Sequence, residues 1–262
     1  MTTTLSTLRA VPLFSQLRES DLEQLARLLK PREYTKNRVI LFAHDPCDAF
    51  YVLLSGQVKV MLISEDGREV ILSLMRTGDF FGEMALMDDE PHSASVIAME
   101  DSSLLVLHRD DFRRCIPEMP GVAFGLLRAL CSRLREADHK IGGLILLDVT
   151  GRVSHLFLQM ADQHDGEHIP APPTHQVMAQ MVGSSRETVS RTISALADQE
   201  LVEVSRSGIT IRNREALEVA AGQLMRKRIK ERHAAQRDRR RAAEQLVPTT
   251  PPGSAPTPLR PR

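Results

Sequence analysis

Cysteine is scarce and scattered in this chain: Cys47, Cys115 and Cys131 are odd in number, far apart and never in a CxxC pair. A disulfide framework is therefore not expected, nor is a metal site, a haem or an iron–sulfur cluster. Each cysteine is read as a small buried apolar residue. Long apolar runs are missing as well. No stretch approaches the roughly 18 apolar residues of a membrane span, and the first ten residues carry no signal-type apolar segment, so a cytoplasmic protein with no membrane partner is expected. Histidine is thin across the β-patterned region, with His44, His92 and His108 and no HxH. A cupin-like metalloenzyme would need clustered His and carboxylate ligands. No nucleophile–base constellation is visible either, so no catalytic residue is assigned and an enzyme is not expected.

Net charge is absent too, since 34 Lys+Arg balance 34 Asp+Glu. The zero hides an asymmetry. Residues 221–262 hold 11 basic against 3 acidic side chains, a net of +8, and residues 1–220 hold 23 against 31, a net of −8. An acidic body that ends in a basic block points to contact with nucleic acid or another polyanion, with a solvated helix as the plainer alternative.

Ser20 with Glu23 fits a capping box ahead of Leu22, Leu25, Leu28 and Leu29 at helical spacing, so a short helix opens the chain. From about 33 to 107 the pattern becomes short β-type runs (50–54, 58–63, 70–75, 104–107) around Gly56, Gly67 and Gly78, which stand 11 residues apart. Runs and turns at that spacing predict an antiparallel β-roll of about eight strands, of the jelly-roll or double-stranded β-helix kind, with Asp66-Gly67 closing one hairpin.

Residues 120–147 contain no proline after Pro120, and Ala123, Leu127, Leu130, Leu134, Ala137, Ile141 and Leu144 recur in steps of 4 and 3. That is a heptad seam of about three repeats, and a seam needs a partner helix. A homodimer is expected, with packing on the chain's own domain as the alternative. Asp148 can cap a further helix with Val149, Val153, Leu156, Phe157 and Met160 on one face. Residues 163–173 read as a loop. Then Thr174 caps a helix, Gly183 makes a turn, and a second helix runs to about Leu201. Residues 202–211 read as a hairpin closed by Ser207-Gly208. An arginine-rich helical stretch follows from 217 to 245, and 248–262, with six prolines, is expected to be disordered.

Gly82-Glu83-Met84-Ala85-Leu86, followed by Pro91-His92-Ser93-Ala94-Ser95-Val96, resembles the phosphate-binding cassette of the cyclic AMP receptor protein/FNR superfamily. The likeness covers most of the chain and extends to Val11-Pro12-Leu13-Phe14, Tyr51-Val52-Leu53-Leu54-Ser55-Gly56 and Leu147-Asp148-Val149-Thr150-Gly151-Arg152. The residue types fit such a role, because glycine lets backbone N–H groups approach a phosphate, a carboxylate grips a ribose hydroxyl, and serine donates to a phosphate oxygen. The resemblance therefore assigns ligand contacts to Gly82, Glu83, Met84, His92 and Ser93. Two positions depart from the pattern. Where cyclic AMP binders carry a phosphate-neutralising arginine the chain has His92, and the adenine-reading threonine of the long helix is Ala137. An imidazole replaces a charged fork, so ordinary cyclic AMP should bind weakly. Arg135 and Asp138 resemble the RxxD motif of cyclic di-GMP receptors, and on one helix face they could hold the two edges of a guanine. Cyclic AMP, cyclic di-GMP and a ligand-free scaffold all stay open.

Val182-Gly183-Ser184-Ser185-Arg186-Glu187-Thr188-Val189-Ser190-Arg191 matches the superfamily's recognition helix. In a helix-turn-helix the first two turns of the second helix meet base edges. Arg186, Glu187 and Arg191 lie there as base readers, arginine for guanine and glutamate for cytosine N4, while Ser185 and Thr188 suit phosphates. A Ser184–Glu187 capping box is the competing role for that glutamate. The RExxxR pattern implies a TGTGA-like half-site, and a dimer implies palindromic double-stranded DNA, with RNA polymerase as a further partner. A regulatory module of an enzyme or channel would share the roll but lack this helix. The expected architecture is thus α+β: a cyclic-nucleotide-binding roll (1–118), a dimerisation helix (119–147), a winged helix-turn-helix (148–215), and a basic and proline-rich tail (216–262).

Overall fold

Apolar residues at period two, broken by glycine turns, form eight strands in the first half of the chain: β1 (Lys30–Tyr34), β2 (Val39–Leu41), β3 (Ala49–Ser55), β4 (Gln57–Ile63), β5 (Glu69–Arg76), β6 (Phe80–Phe81), β7 (Ser95–Ala98) and β8 (Ser102–His108). The computed structural model describes residues 5–164 and 166–222. The basic segment 226–241 and the proline-rich end lie outside the described residues.

The strands make two four-stranded antiparallel sheets, ordered β1-β8-β3-β6 and β2-β7-β4-β5. β3 is buried along most of its length because its two faces serve different cores. Phe50 and Val52 join the N-terminal helices α1 (Leu5–Arg9) and α2 (Glu19–Leu28), whereas Ala49, Tyr51 and Leu53 face the inside of the roll. A strand covered on both sides reads as a continuous apolar run. α2 departs from the expected start. Its N-cap is Arg18, which pairs with Asp21 at 3.1 Å, and Ser20 lies within the first turn.

After α3 (Glu83–Met87) and α4 (Arg109–Glu118), Pro120 opens the 27-residue α5 (Pro120–Leu146), where its fixed φ suits the first helical turn. One stripe of α5, Val122, Leu126 and Ala129, packs on the roll. The heptad stripe points elsewhere: Leu134 is 64% and Ile141 56% exposed, and Leu127 and Leu144 are exposed too. Leu130 is half-buried and Ala137 exposed. Ala123 is half-buried as well, so the protomer covers part of the seam but leaves Leu127, Leu134, Ile141 and Leu144 largely open. Of the cysteines, Cys47 and Cys115 are buried as expected, but Cys131 is exposed because it lies on α5 beside this stripe.

The C-terminal unit has its own core around Phe157, Val153, Val189 and Leu217. Its elements are α6 (Val149–Asp162), β9 (His168–Ile169), α7 (His175–Val182), α8 (Arg186–Asp198), β10 (Val202–Ser205), β11 (Gly208–Ile211) and α9 (Arg214–Ala220). Asp148 accepts from the Gly151 N–H at 2.8 Å and Thr174 from the Val177 N–H at 3.3 Å, which caps α6 and α7 as read. The loop read at 163–173 holds β9, which adds a third strand to the wing in the order β10-β11-β9. The unit also runs past 215, since Leu217 of α9 is fully buried in its core.

The hairpin turn falls on Arg206 and Ser207, and Gly208 opens β11 instead of closing the turn. Gly208 has φ 138°, and a Cβ there would sit 2.1 Å from the Ile169 carbonyl oxygen. Only glycine lets β9 approach so closely. Gly208→Ala is expected to lower stability by about 1–3 kcal/mol, through a backbone conformation that L-residues rarely adopt together with that clash. Urea unfolding of the variant would measure it, and an unchanged midpoint would refute the account.

β5 receives one side chain from α5 and one from the C-terminal unit. Lys140 of α5 donates to the Leu72 carbonyl, and Gln180 of α7 donates to Glu69 Oε2 at 2.7 Å. Glu69 also faces Lys59 of β4 at 3.4 Å.

Candidate functional site

Strand pairing places the cassette. β6 pairs with β3 (Tyr51 opposite Phe81, Val52 opposite Phe80), so Gly82 emerges at the mouth of the roll. Gly82 adopts φ 86°, and a Cβ there would lie 2.7 Å from the Ala49 carbonyl, so the turn into α3 requires glycine. Arg109 of α4 braces the other end of α3, donating to the Ala85 carbonyl at 3.3 Å and pairing with Asp89 at 3.1 Å.

A small cleft of about 70 Å³ opens here, bounded by Gly82, Glu83 and Met84 on one side, His92 and Ser93 on another, and Leu41, Val60 and Val96 beneath. All five residues that the cassette resemblance singled out meet there. Ser93 and Met84 are exposed at the rim. His92, read as a poor phosphate ligand on a loop, is only 6% exposed. Its N–H donates to the Asp45 carbonyl at 3.0 Å and its carbonyl accepts from the His44 N–H at 2.8 Å, which draws the loop into the roll. Burial pushes its imidazole below the ordinary histidine value, while Asp48 and Asp45 oppose that shift.

The most consequential residue of the cleft is one the sequence reading passed over. Arg133 of α5 pairs with Glu83 and donates to the Phe80 carbonyl, with its guanidinium 4.8 Å from the centre of the Phe80 ring. Glu83 is 1% exposed. Its carboxyl stands above its ordinary value because burial disfavours the charge, and Arg133 pulls it back. A signal was present: Arg133 continues the Val122, Leu126, Ala129 stripe in steps of 4, 3 and 4. A charge on an apolar stripe requires a buried partner. Arg135 and Asp138, by contrast, are exposed on α5 outside the cleft lining and form no ion pair with each other among the described residues. The structure does not bring them to the cassette.

At the other end of the molecule, α8 buries Val189, Thr192, Ile193 and Leu196 and exposes Arg186, Glu187 and Arg191 on its first two turns. Its N-cap is Ser185, which accepts from the Thr188 N–H at 3.2 Å, so the Ser184 capping box does not form. Ser185 and Thr188 hydroxyls lie 3.0 Å apart, and Arg191 donates to Thr188 Oγ1 at 3.4 Å. The Glu187 carboxyl is held below its ordinary value by its own backbone N–H and by Ser185. Behind the helix, His175 and Ser190 share a hydrogen bond of 2.7 Å between α7 and α8. Arg152 donates to the Val182 and Leu147 carbonyls, both at 2.8 Å, and so fixes the turn against the hinge. A rigid frame thus presents two arginines and a glutamate at a helix N-terminus, the arrangement that reads a major groove.

Comparison with known proteins matches both halves of the chain. The cyclic nucleotide-binding domain family matches residues 31–118, and the Crp-like helix-turn-helix domain family matches residues 151–220. The chain is 33% identical over 214 residues to a cyclic AMP receptor protein of Thermus thermophilus, covering 82% of this chain and 98% of that one. It is 32% identical to the cAMP-activated global transcriptional regulator Vfr of Pseudomonas aeruginosa, over 70% of this chain and 89% of the relative. Among solved structures, FixK2 of Bradyrhizobium japonicum shares the fold with a TM-score of 0.65 at 24% identity, covering 73% and 96% of the two chains. The c-di-GMP-responsive regulator CLP of Xanthomonas campestris does so with a TM-score of 0.64 at 21% identity, covering 74% and 99%.

Proposed function

The chain belongs to the cyclic AMP receptor protein/FNR family of DNA-binding transcription regulators, and we propose that within it this protein acts as a homodimer switched by a cyclic nucleotide. The observation that carries the dimer is the exposed stripe of Leu127, Leu134, Ile141 and Leu144 on α5, an apolar seam that the protomer leaves uncovered. Two copies joined along it would present two α8 helices to a palindromic operator with TGTGA-like half-sites about one helical turn apart. Bound near a promoter, such a dimer would act on RNA polymerase.

The ligand reading rests on the cleft. Glu83 would accept from a ribose hydroxyl, while Ser93 and the N–H groups at the start of α3 would take the phosphate. A cyclic mononucleotide uses every cassette residue assembled there. Cyclic di-GMP held by Arg135 and Asp138 has less support, since both residues lie outside the cleft, and the likeness to CLP is one of fold. Calorimetry with cyclic AMP, cyclic GMP and cyclic di-GMP in parallel separates these ligands, and Asp138→Ala would abolish binding only of the last.

On the DNA side, Arg186→Ala should weaken binding to a palindromic TGTGA-type duplex by about 1–3 kcal/mol and relax specificity at one base pair of each half-site. Fluorescence anisotropy against a panel of single-base variants would read both effects. Full affinity with an unchanged base preference would show that α8 docks in another way.

A further inference from the structure

The charges around the cleft leave a bound phosphodiester without a counter-ion. Arg133 is the cation of the lining, and its guanidinium is already committed to Glu83 and to the Phe80 carbonyl. Glu83 and Arg133 cancel, so an incoming anion would be buried as the only uncompensated charge, which is costly in a partly desolvated site. The side chain at the position where cyclic AMP binders place an arginine is His92, almost wholly buried and lining the cleft beside Ser93.

We propose that His92 is a proton-dependent counter-charge: a phosphodiester anion enters the cleft together with one proton from solvent, which forms a second N–H on the His92 imidazole. This rests on the reading of the cleft as a cyclic-nucleotide site. The neutral ring has one donor and no charge, whereas the protonated ring has two donors and a full positive charge. The groups around the ring favour that change once the anion is present. Asp45 and Asp48, on the loop ahead of β3, both draw a proton toward it, and His44 of the same loop is joined to it by a backbone hydrogen bond. Across the cleft stand Glu83 of α3 and Arg133 of α5. Without ligand, burial keeps the ring neutral near pH 7 by holding its proton affinity below the ordinary histidine value. With the anion bound, the affinity of the ring for a proton rises. Between those two states the ligand binds more tightly as pH falls, by up to tenfold per pH unit where one proton accompanies each ligand. The substitution of arginine by histidine therefore makes ligand affinity sensitive to pH, where an arginine would hold it constant.

The test is titration calorimetry of the full chain with cyclic AMP at pH 6, 7 and 8, repeated at pH 7 in two buffers of different ionisation enthalpy. The wild type should lose affinity as pH rises, approaching tenfold per unit, and should take up close to one proton per ligand. His92→Arg should bind more tightly than the wild type at pH 8, with a flat profile and no proton uptake. His92→Gln, a neutral donor of similar reach, should bind weakly at every pH with no uptake. Glu83 is unchanged in both variants, so a pH dependence that survived in them would belong to that carboxyl and overturn the proposal. A flat wild-type profile would overturn it as well while leaving the nucleotide site in place. No binding by the wild type or His92→Arg at any pH would remove the nucleotide reading itself, and the proposal with it.

Discussion

Leu134→Glu combined with Ile141→Glu is expected to turn the protein into a monomer and to lower its affinity for a palindromic operator by a factor of roughly 10²–10⁴. The factor is the avidity lost when two half-site contacts no longer share one rigid body. The substitution is well placed because both residues are more than half exposed in the protomer, so little of its own core depends on them. Four carboxylates brought into a two-stranded seam would repel one another and lose the burial that drives knobs-into-holes packing. Sedimentation would give the mass, and anisotropy with full and half operators would give the affinity. A half-site duplex should be bound almost as well by the variant as by the wild type. A variant that keeps the wild-type mass and operator affinity would show that copies do not associate through α5.

The second large effect is expected at Arg133. Removing one partner of a buried pair leaves the other charge uncompensated, typically at a loss of about 3–5 kcal/mol. Arg133→Met, which keeps much of the aliphatic stem over Phe80, should fall near the lower end at neutral pH because the guanidinium is partly open to water. The pH dependence has a definite sign. Burial already holds the Glu83 carboxyl above its ordinary value, and Arg133 is what pulls it down. In the variant the folded carboxyl therefore rises further while the unfolded one does not. The folded state then binds the proton more tightly, so stability is greatest in acid and declines as pH rises through the folded-state value. Urea unfolding at pH 5 and pH 8 should show a distinctly smaller loss at pH 5. An equal loss at both would mean that packing, not charge, accounts for the contribution of Arg133.

Much of this organisation was legible in the sequence where a local rule and a long-range requirement agree. The hairpin at Asp66-Gly67, the caps Asp148 and Thr174, and the separate heptad stripe each follow from residues close in the chain. Arg133 shows where that reading stops. Its helical face was legible, but its partner lies 50 residues earlier on α3, and the pair is apparent only once the roll and α5 are packed. His92 escaped for a related reason. Its place in the cassette was legible but its burial was not, because backbone bonds to His44 and Asp45 pull the residue inward and nothing in its neighbours encodes them. β9 is two residues long, too short to have a period, and its presence turns on the missing Cβ of Gly208. Ser185 displaced Ser184 as the cap of α8, a shift of one residue of the kind common at helix ends.

The joint at β5 bears on how sharply a signal can be passed on. The C-terminal unit meets the roll where α7 packs on β5, and within that contact Gln180 donates to Glu69, an exposed bond to a charged acceptor. Such a bond is worth about 1–2 kcal/mol. That bond alone would shift the balance between docked and undocked arrangements by a factor of roughly 5 to 30. Because α5 reaches the same strand through Lys140, a change in the cleft and a change at the DNA would both be felt at β5. Whatever the ligand gains from bound DNA, the DNA must gain from the ligand.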